Sequence, residues 1–112
     1  MYSIYAGSDL VGHTALENGD APMGVAFGVF LPSDGYARIR EVCQRSHSDQ
    51  SMLQLSVATE AGDAIPAIGV SVLDYTAMVD EPEIQVNLIG VEAALYEALF
   101  PMHVRAYRQR FA

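Results

Sequence analysis

The feature that most constrains the fold is an apolar run from Met23 to Leu31, in which large and small side chains alternate. Alternation with a period of two is typical of a β-strand whose two faces differ. A strand with a nearly bare face lets a helix of the same chain, a second subunit or a flat ligand approach its backbone closely. The run predicts an apolar face of Val25, Phe27, Val29 and Leu31, and a bare face of Gly24, Ala26 and Gly28.

The patterns around this strand predict a single α+β domain over residues 1–112. Strands are expected at about 2–6, 10–16 and 23–31, and a helix follows near 35–45. Three further alternating segments and a final helix from about Val91, kinked at Pro101, complete the order β-β-β-α-β-β-β-α. The expected architecture is a mainly antiparallel sheet of five or six strands with two helices on one face. The three later strands are expected near 53–57, 68–72 and 84–88.

Local signals add detail to this architecture. The Asn18-Gly19 pair is a strong hairpin signal, so it predicts the turn before the third strand. The helices are expected to pack on the sheet through apolar stripes that include Ile39 and Val42 in the first and Leu95 and Leu99 in the second. Cys43 lies in the stripe of the first helix and is predicted to be a buried core residue.

The charge distribution argues against two classes of partner. Fourteen acidic residues and six arginines give a formal net charge of −8, and there is no lysine. Residues 1–37 and 46–104 carry no arginine at all. A nucleic-acid-binding surface needs a basic stripe, and an anionic membrane attracts basic segments. We therefore expect neither nucleic acid nor membrane as a partner.

The single cysteine excludes an intramolecular disulfide and a cysteine-based zinc site. The first residues lack the basic start and continuous apolar stretch of a signal peptide. The run from Met23 to Leu31 is half the length needed to cross a bilayer. These observations predict a soluble, cytoplasmic protein.

Composition predicts self-association. Of the residues of the chain, 51% are hydrophobic and only 18% are charged. A domain of 112 residues is not expected to bury so many hydrophobic side chains on its own. A two-fold contact is the commonest closed arrangement of identical chains. We therefore expect a homodimer, with the bare face of Gly24, Ala26 and Gly28 as its interface.

One grouping of residues could carry chemistry. His13 and Glu17 are near the end of a predicted strand, and Asp20 follows in the turn. Together they could hold a metal ion or act as an acid and a base, although they fall short of a metal signature such as His-Glu-x-x-His. The simpler interpretation is a strand histidine and two turn carboxylates. No motif for a cofactor or a metal is present, so none is predicted.

A cluster of acidic residues near the sixth predicted strand is either a solvated loop or a docking surface for a basic protein partner. Its members are Asp74, Asp80, Glu81 and Glu83.

Two functions from different classes follow from the sequence. The first is a small non-enzymatic interaction module that binds itself and another protein. The second is a small enzyme or ligand-binding domain with a pocket near His13 and Glu17. A deep pocket with convergent polar groups favours the second, and a flat apolar patch favours the first.

Overall fold

The strands of the chain pair into one curled antiparallel sheet. The computed structural model describes residues 1–77 and 83–110, and this part contains seven strands and three α-helices. The strands are β1 (Tyr2–Ala6), β2 (Asp9–Thr14), β3 (Asn18–Asp20), β4 (Val25–Pro32), β5 (Leu55–Ala58), β6 (Gly69–Asp74) and β7 (Ile84–Ile89). The helices are α1 (Arg40–Arg45), α2 (Ala93–Leu99) and α3 (Pro101–Arg110).

The strand order in the sheet is β5-β1-β2-β4-β7-β6, with the short β3 beside β4. Every pair is antiparallel. The predicted α+β class with an antiparallel sheet is therefore confirmed. The predicted pairing of the first three long strands is confirmed as well, because β2 lies between β1 and β4.

The last two helices form one interrupted helical segment. Glu92 caps the start of α2, where its carboxylate accepts hydrogen bonds from the backbone N–H groups of Ala94 and Leu95. Phe100 has a non-helical backbone, with φ −126° and ψ 55°, because a residue before proline is pushed out of the helical conformation. The helix restarts at Pro101, so the predicted kink is confirmed. Among the described residues, no helix is long and apolar enough to span a bilayer.

The helical residues that enter the core differ from those predicted. Tyr96 and Phe100 are fully buried and His103 is buried beside them, whereas Leu95 and Leu99 are only partly buried. The predicted stripe was therefore displaced by one position along the helix. The aromatic side chains cover more of the core than the leucines, and the break at Phe100 brings His103 onto the same side.

The predicted helix at 35–45 is divided into two shorter pieces. A 3-10 helix spans Asp34–Arg38, and α1 begins only after Ile39. Both pieces still face the core as predicted, through Tyr36, Ile39 and Cys43. The predicted burial of Cys43 is confirmed, since it is fully enclosed as a free thiol.

The turn predicted at Asn18-Gly19 is wrong, because these residues form β3 and pair with β4. The reversal instead occurs at a 3-10 turn, Ala21–Met23, which ends at Gly24 in a left-handed conformation. The preceding strand ends at Thr14 rather than at residue 16, and Leu16 is buried with φ 46°. The chain therefore bends twice where a single hairpin was expected.

The buried thiol leads to a prediction about reactivity. Burial raises the pKa of Cys43 to about 11, so the reactive thiolate is scarce at neutral pH. We expect folded protein to react slowly with a thiol reagent such as 5,5′-dithiobis(2-nitrobenzoate), and to react fully after unfolding in guanidinium chloride. Rapid labelling under native conditions would show that α1 is not docked on the sheet as described.

Candidate functional site

The three residues proposed as candidates for catalysis do not converge. His13 lies on β2, opposite Ser3 of β1 and Leu31 of β4. Glu17 and Asp20 instead line a cleft that His13 does not reach. Within residues 1–77 and 83–110, no group of three His, Cys, Asp or Glu side chains is placed to hold a metal ion.

The cleft has a volume of about 570 Å³ and lies between β3, β4 and α3. The second functional hypothesis predicted a pocket near His13 and Glu17. Glu17 does line this cleft, but the histidine in it is His103 of α3 and not His13. The cleft is lined by Glu17, Asn18, Gly19, Asp20, Phe27, His103, Ala106, Tyr107 and Arg110.

His103 joins the last helix to the bend after β2. Its Nε2 lies 2.8 Å from the backbone carbonyl oxygen of Leu16. Because a carbonyl can only accept, Nε2 carries the proton and donates it in this hydrogen bond. The imidazole ring also stacks on Phe100, with ring centres 5.4 Å apart. This contact fixes one wall of the cleft.

Tyr96 lies behind this wall and fixes the start of β4. Its hydroxyl donates a hydrogen bond of 2.7 Å to the carbonyl oxygen of Val25. Burial, with a further contribution from the negative charge of Asp20, raises the pKa of Tyr96 to about 12. Gly19 leaves room for this packing, because a Cβ there would collide with Tyr96 and His103.

Charged groups of both signs line the cleft. Asp20 and Arg110 are both exposed, and the described ion pairs of the chain do not include either of them. The carboxylate of Glu17 is engaged, because it accepts a 3.1 Å hydrogen bond from the backbone N–H of Val29. The cleft can therefore hold a small polar molecule, and its described lining residues include no serine, threonine, cysteine or lysine.

The bare face of β4 is covered by the chain itself. Ala26 and Gly28 are buried and point into the subunit, and Gly24 packs on the backbone of Val91. A Cβ on Gly28 would overlap the carboxylate of Glu17. The close approach predicted for this face therefore exists, and the approaching group belongs to the same chain rather than to a second subunit.

The apolar face of β4 is turned outward. Val29 is 37% exposed and Leu31 is 46% exposed. Residues directly opposite one another on paired strands share a face, so the strand registers extend this surface across the sheet. We call it the outer face, and its members are Ser3, Tyr5, His13, Phe27, Val29, Leu31, Ser71, Leu73, Gln85 and Asn87.

On β1, β2, β4, β6 and β7 the outer face carries no Asp, Glu, Arg or Lys, although the chain has twenty such residues, and Asp20 of β3 adds one carboxylate opposite Val25. Three of its polar members bond to one another: Gln85 donates to Asn87 at 2.9 Å, and Asn87 donates to Ser71 at 3.4 Å. Glu17 and Asp20 lie at its rim. An uncharged, partly apolar surface therefore crosses the middle of a strongly acidic protein.

The acidic cluster near β6 is not a continuous exposed patch in the described residues. Asp74 is buried, where it accepts hydrogen bonds from the hydroxyl of Tyr36 at 2.5 Å and from Thr76 N–H at 2.9 Å. Glu83 is exposed. Asp80 and Glu81 lie outside the described residues.

Several cleft residues were missed because they are distant in sequence. His103 is 87 positions from its partner Leu16, and no local motif connects them. A signal was nevertheless present: Tyr96, Phe100 and His103 follow the i, i+4, i+7 spacing of one helix face. That spacing marks His103 as an inward residue, although it does not identify what the residue contacts.

Comparison of the chain with protein-family models, with curated proteins and with solved structures finds no match.

Proposed function

We propose that the protein is a non-enzymatic interaction module that pairs with a second copy of itself through the outer face of its sheet. The observation that carries this proposal is that β1, β2, β4, β6 and β7 place no charged side chain on that face. In a chain with a net charge of −8, most surfaces repel their copies. Two outer faces can approach without placing like charges opposite one another.

The exposed side chains supply the attraction. Val29 and Leu31 are central on β4 and lose contact with water when a second face covers them. The polar neighbours Gln85 and Asn87 already form hydrogen bonds within the subunit, so covering them leaves fewer unpaired groups. Twisted sheets pack face to face in this way in many β-sandwiches.

Sedimentation equilibrium tests the proposal. Wild-type protein should have twice the 12.1 kDa chain mass at low micromolar concentration. Leu31→Glu places a charge in the centre of the outer face and should return the mass to that of one chain. Met102→Glu adds the same charge at an exposed site on α3 and should leave the mass doubled. A wild-type monomer, or equal effects of both substitutions, would contradict the proposal.

A second candidate function is the binding of a small zwitterion in the Glu17–Arg110 cleft. The observation that favours it is that Asp20 and Arg110 line one cavity, and that no ion pair formed among residues 1–77 and 83–110 includes either of them. Free amino acids are suitable probes for thermal-shift measurements, because a ligand at 100 times its Kd adds about 2.7 kcal/mol of stability. Binding should be lost in Asp20→Asn; if no amino acid raises the Tm, this candidate is wrong.

A further inference from the structure

The two ends of the curled sheet, β5 and β6, approach one another, and a side chain from the loop before β5 pairs with β6. The buried carboxamide of Gln50 donates from Nε2 to the carbonyl oxygen of Val72 at 2.7 Å. Its Oε1 accepts from the backbone N–H of Val72 at 2.8 Å. A side-chain amide therefore makes the pair of hydrogen bonds that a neighbouring strand would make at this position.

The next backbone groups along the same edge have no such partner. In a strand, the N–H and C=O groups of residues i and i+2 point to the same side, so those of Val70 point away from β7 as those of Val72 do. On β5, the carbonyl of Val57 points away from β1, because it accepts a 2.8 Å hydrogen bond from Ile65 N–H. Leu55 is two residues earlier, so its N–H and C=O also point away from β1. β5 and β6 are the two ends of the strand order, so within the described residues no ladder pairs these outward groups with a further strand.

These two sets of groups lie beside a cleft of about 400 Å³ that we call the seam. Gly69 leaves the seam open, because a Cβ built there has no atom within 4 Å. Apolar side chains stand at its entrance: Ile68 is 86% exposed and Ile89 is 42% exposed. The seam therefore combines unpaired backbone donors and acceptors with an uncovered apolar surface.

We propose that an extended peptide segment of another protein binds in the seam by pairing with the edge of β6 at Val70. The side-chain amide of Gln50 shows that the edge of β6 pairs with an amide donor and acceptor at Val72. A peptide group of the ligand offers the same donor and acceptor to Val70. A neighbouring apolar side chain of the peptide covers Ile68 and Ile89. Addition of a strand to an exposed sheet edge is a general mode of peptide recognition. This site lies along the edge of β6 and meets the outer face, the proposed dimer surface, at Ser71.

The probe for this proposal is a phage-displayed library of random linear peptides, selected against the immobilised wild-type protein. The peptide with the strongest enrichment is then synthesised and titrated into labelled protein by NMR. We expect its sequence to contain alternating apolar residues, and we expect the largest amide shifts at Leu55, Ile68 and Val70. Failure to enrich any peptide above background would overturn the proposal, as would shifts confined to the outer face or to the Glu17–Arg110 cleft.

Two substitutions locate the contact. Val70→Pro removes the N–H that faces the seam, and proline is tolerated on a strand edge when that N–H is not used in the ladder. It should weaken binding about tenfold or more, the effect of losing one good hydrogen bond. Ile68→Asp should weaken binding similarly, and because Ile68 is on the surface this variant should remain folded. Met102→Asp, at an exposed site on α3, is the matched control and should bind normally.

Two further measurements complete the test. If Val70→Pro does not fold, the complementary hydrogen bond, from a peptide N–H to the Val70 carbonyl oxygen, is removed by N-methylating alternate backbone nitrogens of the peptide, and one N-methyl register should abolish binding. Unchanged binding in both registers would overturn strand addition. If Ile68→Asp halves the sedimentation mass, a second copy occupies the seam and the proposal of a foreign peptide is wrong.

Discussion

Replacing Asp74 with alanine is expected to lower the free energy of unfolding by about 3–5 kcal/mol. The carboxylate of Asp74 accepts hydrogen bonds from the Tyr36 hydroxyl and from the N–H and hydroxyl of Thr76. Removing it leaves these donors unpaired in a largely buried site, and each unsatisfied buried group is costly. Urea denaturation followed by circular dichroism measures the change.

A matched control separates the loss of the Asp74 hydrogen bonds from the general effect of removing one negative charge. Asp63→Ala removes an exposed aspartate whose side chain makes no described hydrogen bond, and it should change stability by less than about 0.5 kcal/mol. Tyr36→Phe, which removes one donor and keeps the ring, should have an intermediate effect. A loss below about 1 kcal/mol for Asp74→Ala would show that the buried network contributes little.

The same network predicts how stability depends on pH. Burial opposes ionisation of Asp74, but hydrogen bonds from Thr76 and Tyr36, together with the nearby Arg40 charge, hold its pKa below the ordinary value. Its contribution is therefore present above the unfolded pKa of about 4 and is lost as pH falls through the folded value. Asp74→Asn should reduce the slope of stability against pH in this acidic range.

At alkaline pH the sign reverses. Burial and the hydrogen bond to Asp74 raise the pKa of Tyr36, and burial raises that of Cys43. Both groups are held protonated in the folded state, so their contributions are complete below the unfolded pKa values and decline as pH rises above them.

The second large effect is expected at Gly28. Gly28→Leu should destabilise the protein by about 4 kcal/mol or prevent folding, because any Cβ there overlaps the carboxylate of Glu17. Moving Glu17 away also breaks its hydrogen bond to Val29 N–H. Gly69→Ala, on another strand where a Cβ meets open space, is the matched control and should be nearly neutral.

A double-mutant cycle identifies the cause. Gly28→Ala and Glu17→Ala should each destabilise, but the two together should cost less than their sum, because the obstacle to the new methyl group is gone. Additive effects within about 0.5 kcal/mol would show that the Glu17 carboxylate is not the obstacle.

The strand segments could be predicted from the sequence because the alternation of side chains is local. Which face of each strand is buried and which is exposed could not be predicted. A period of two separates the faces of β4 without indicating which one is covered. Ala26 and Gly28 are inside because large aromatic groups such as Phe30 and Tyr96 fill the core around them. The position of Tyr96 depends on α2, which lies far along the chain.

The cleft shows the same limit. Glu17 and Asp20 were identified from their proximity in sequence, and both line it. His103 enters only through packing of α3 against the bend at Leu16, so local spacing could not place it there. His13 was grouped with the two carboxylates by the same local argument, but it lies on β2 beside Ser3 and Leu31 and does not line the cleft.

The strand order also has a kinetic consequence. Ser3 pairs with Ala58, and Ala26 pairs with Leu88, so two of the ladders join segments that are synthesised far apart in time. Folds dominated by such distant pairings fold slowly, on the order of milliseconds to seconds. During synthesis, β4 with its apolar outer side must wait for β7 to emerge from the ribosome. The nascent chain is therefore expected to depend on protection from aggregation until its last third has been made.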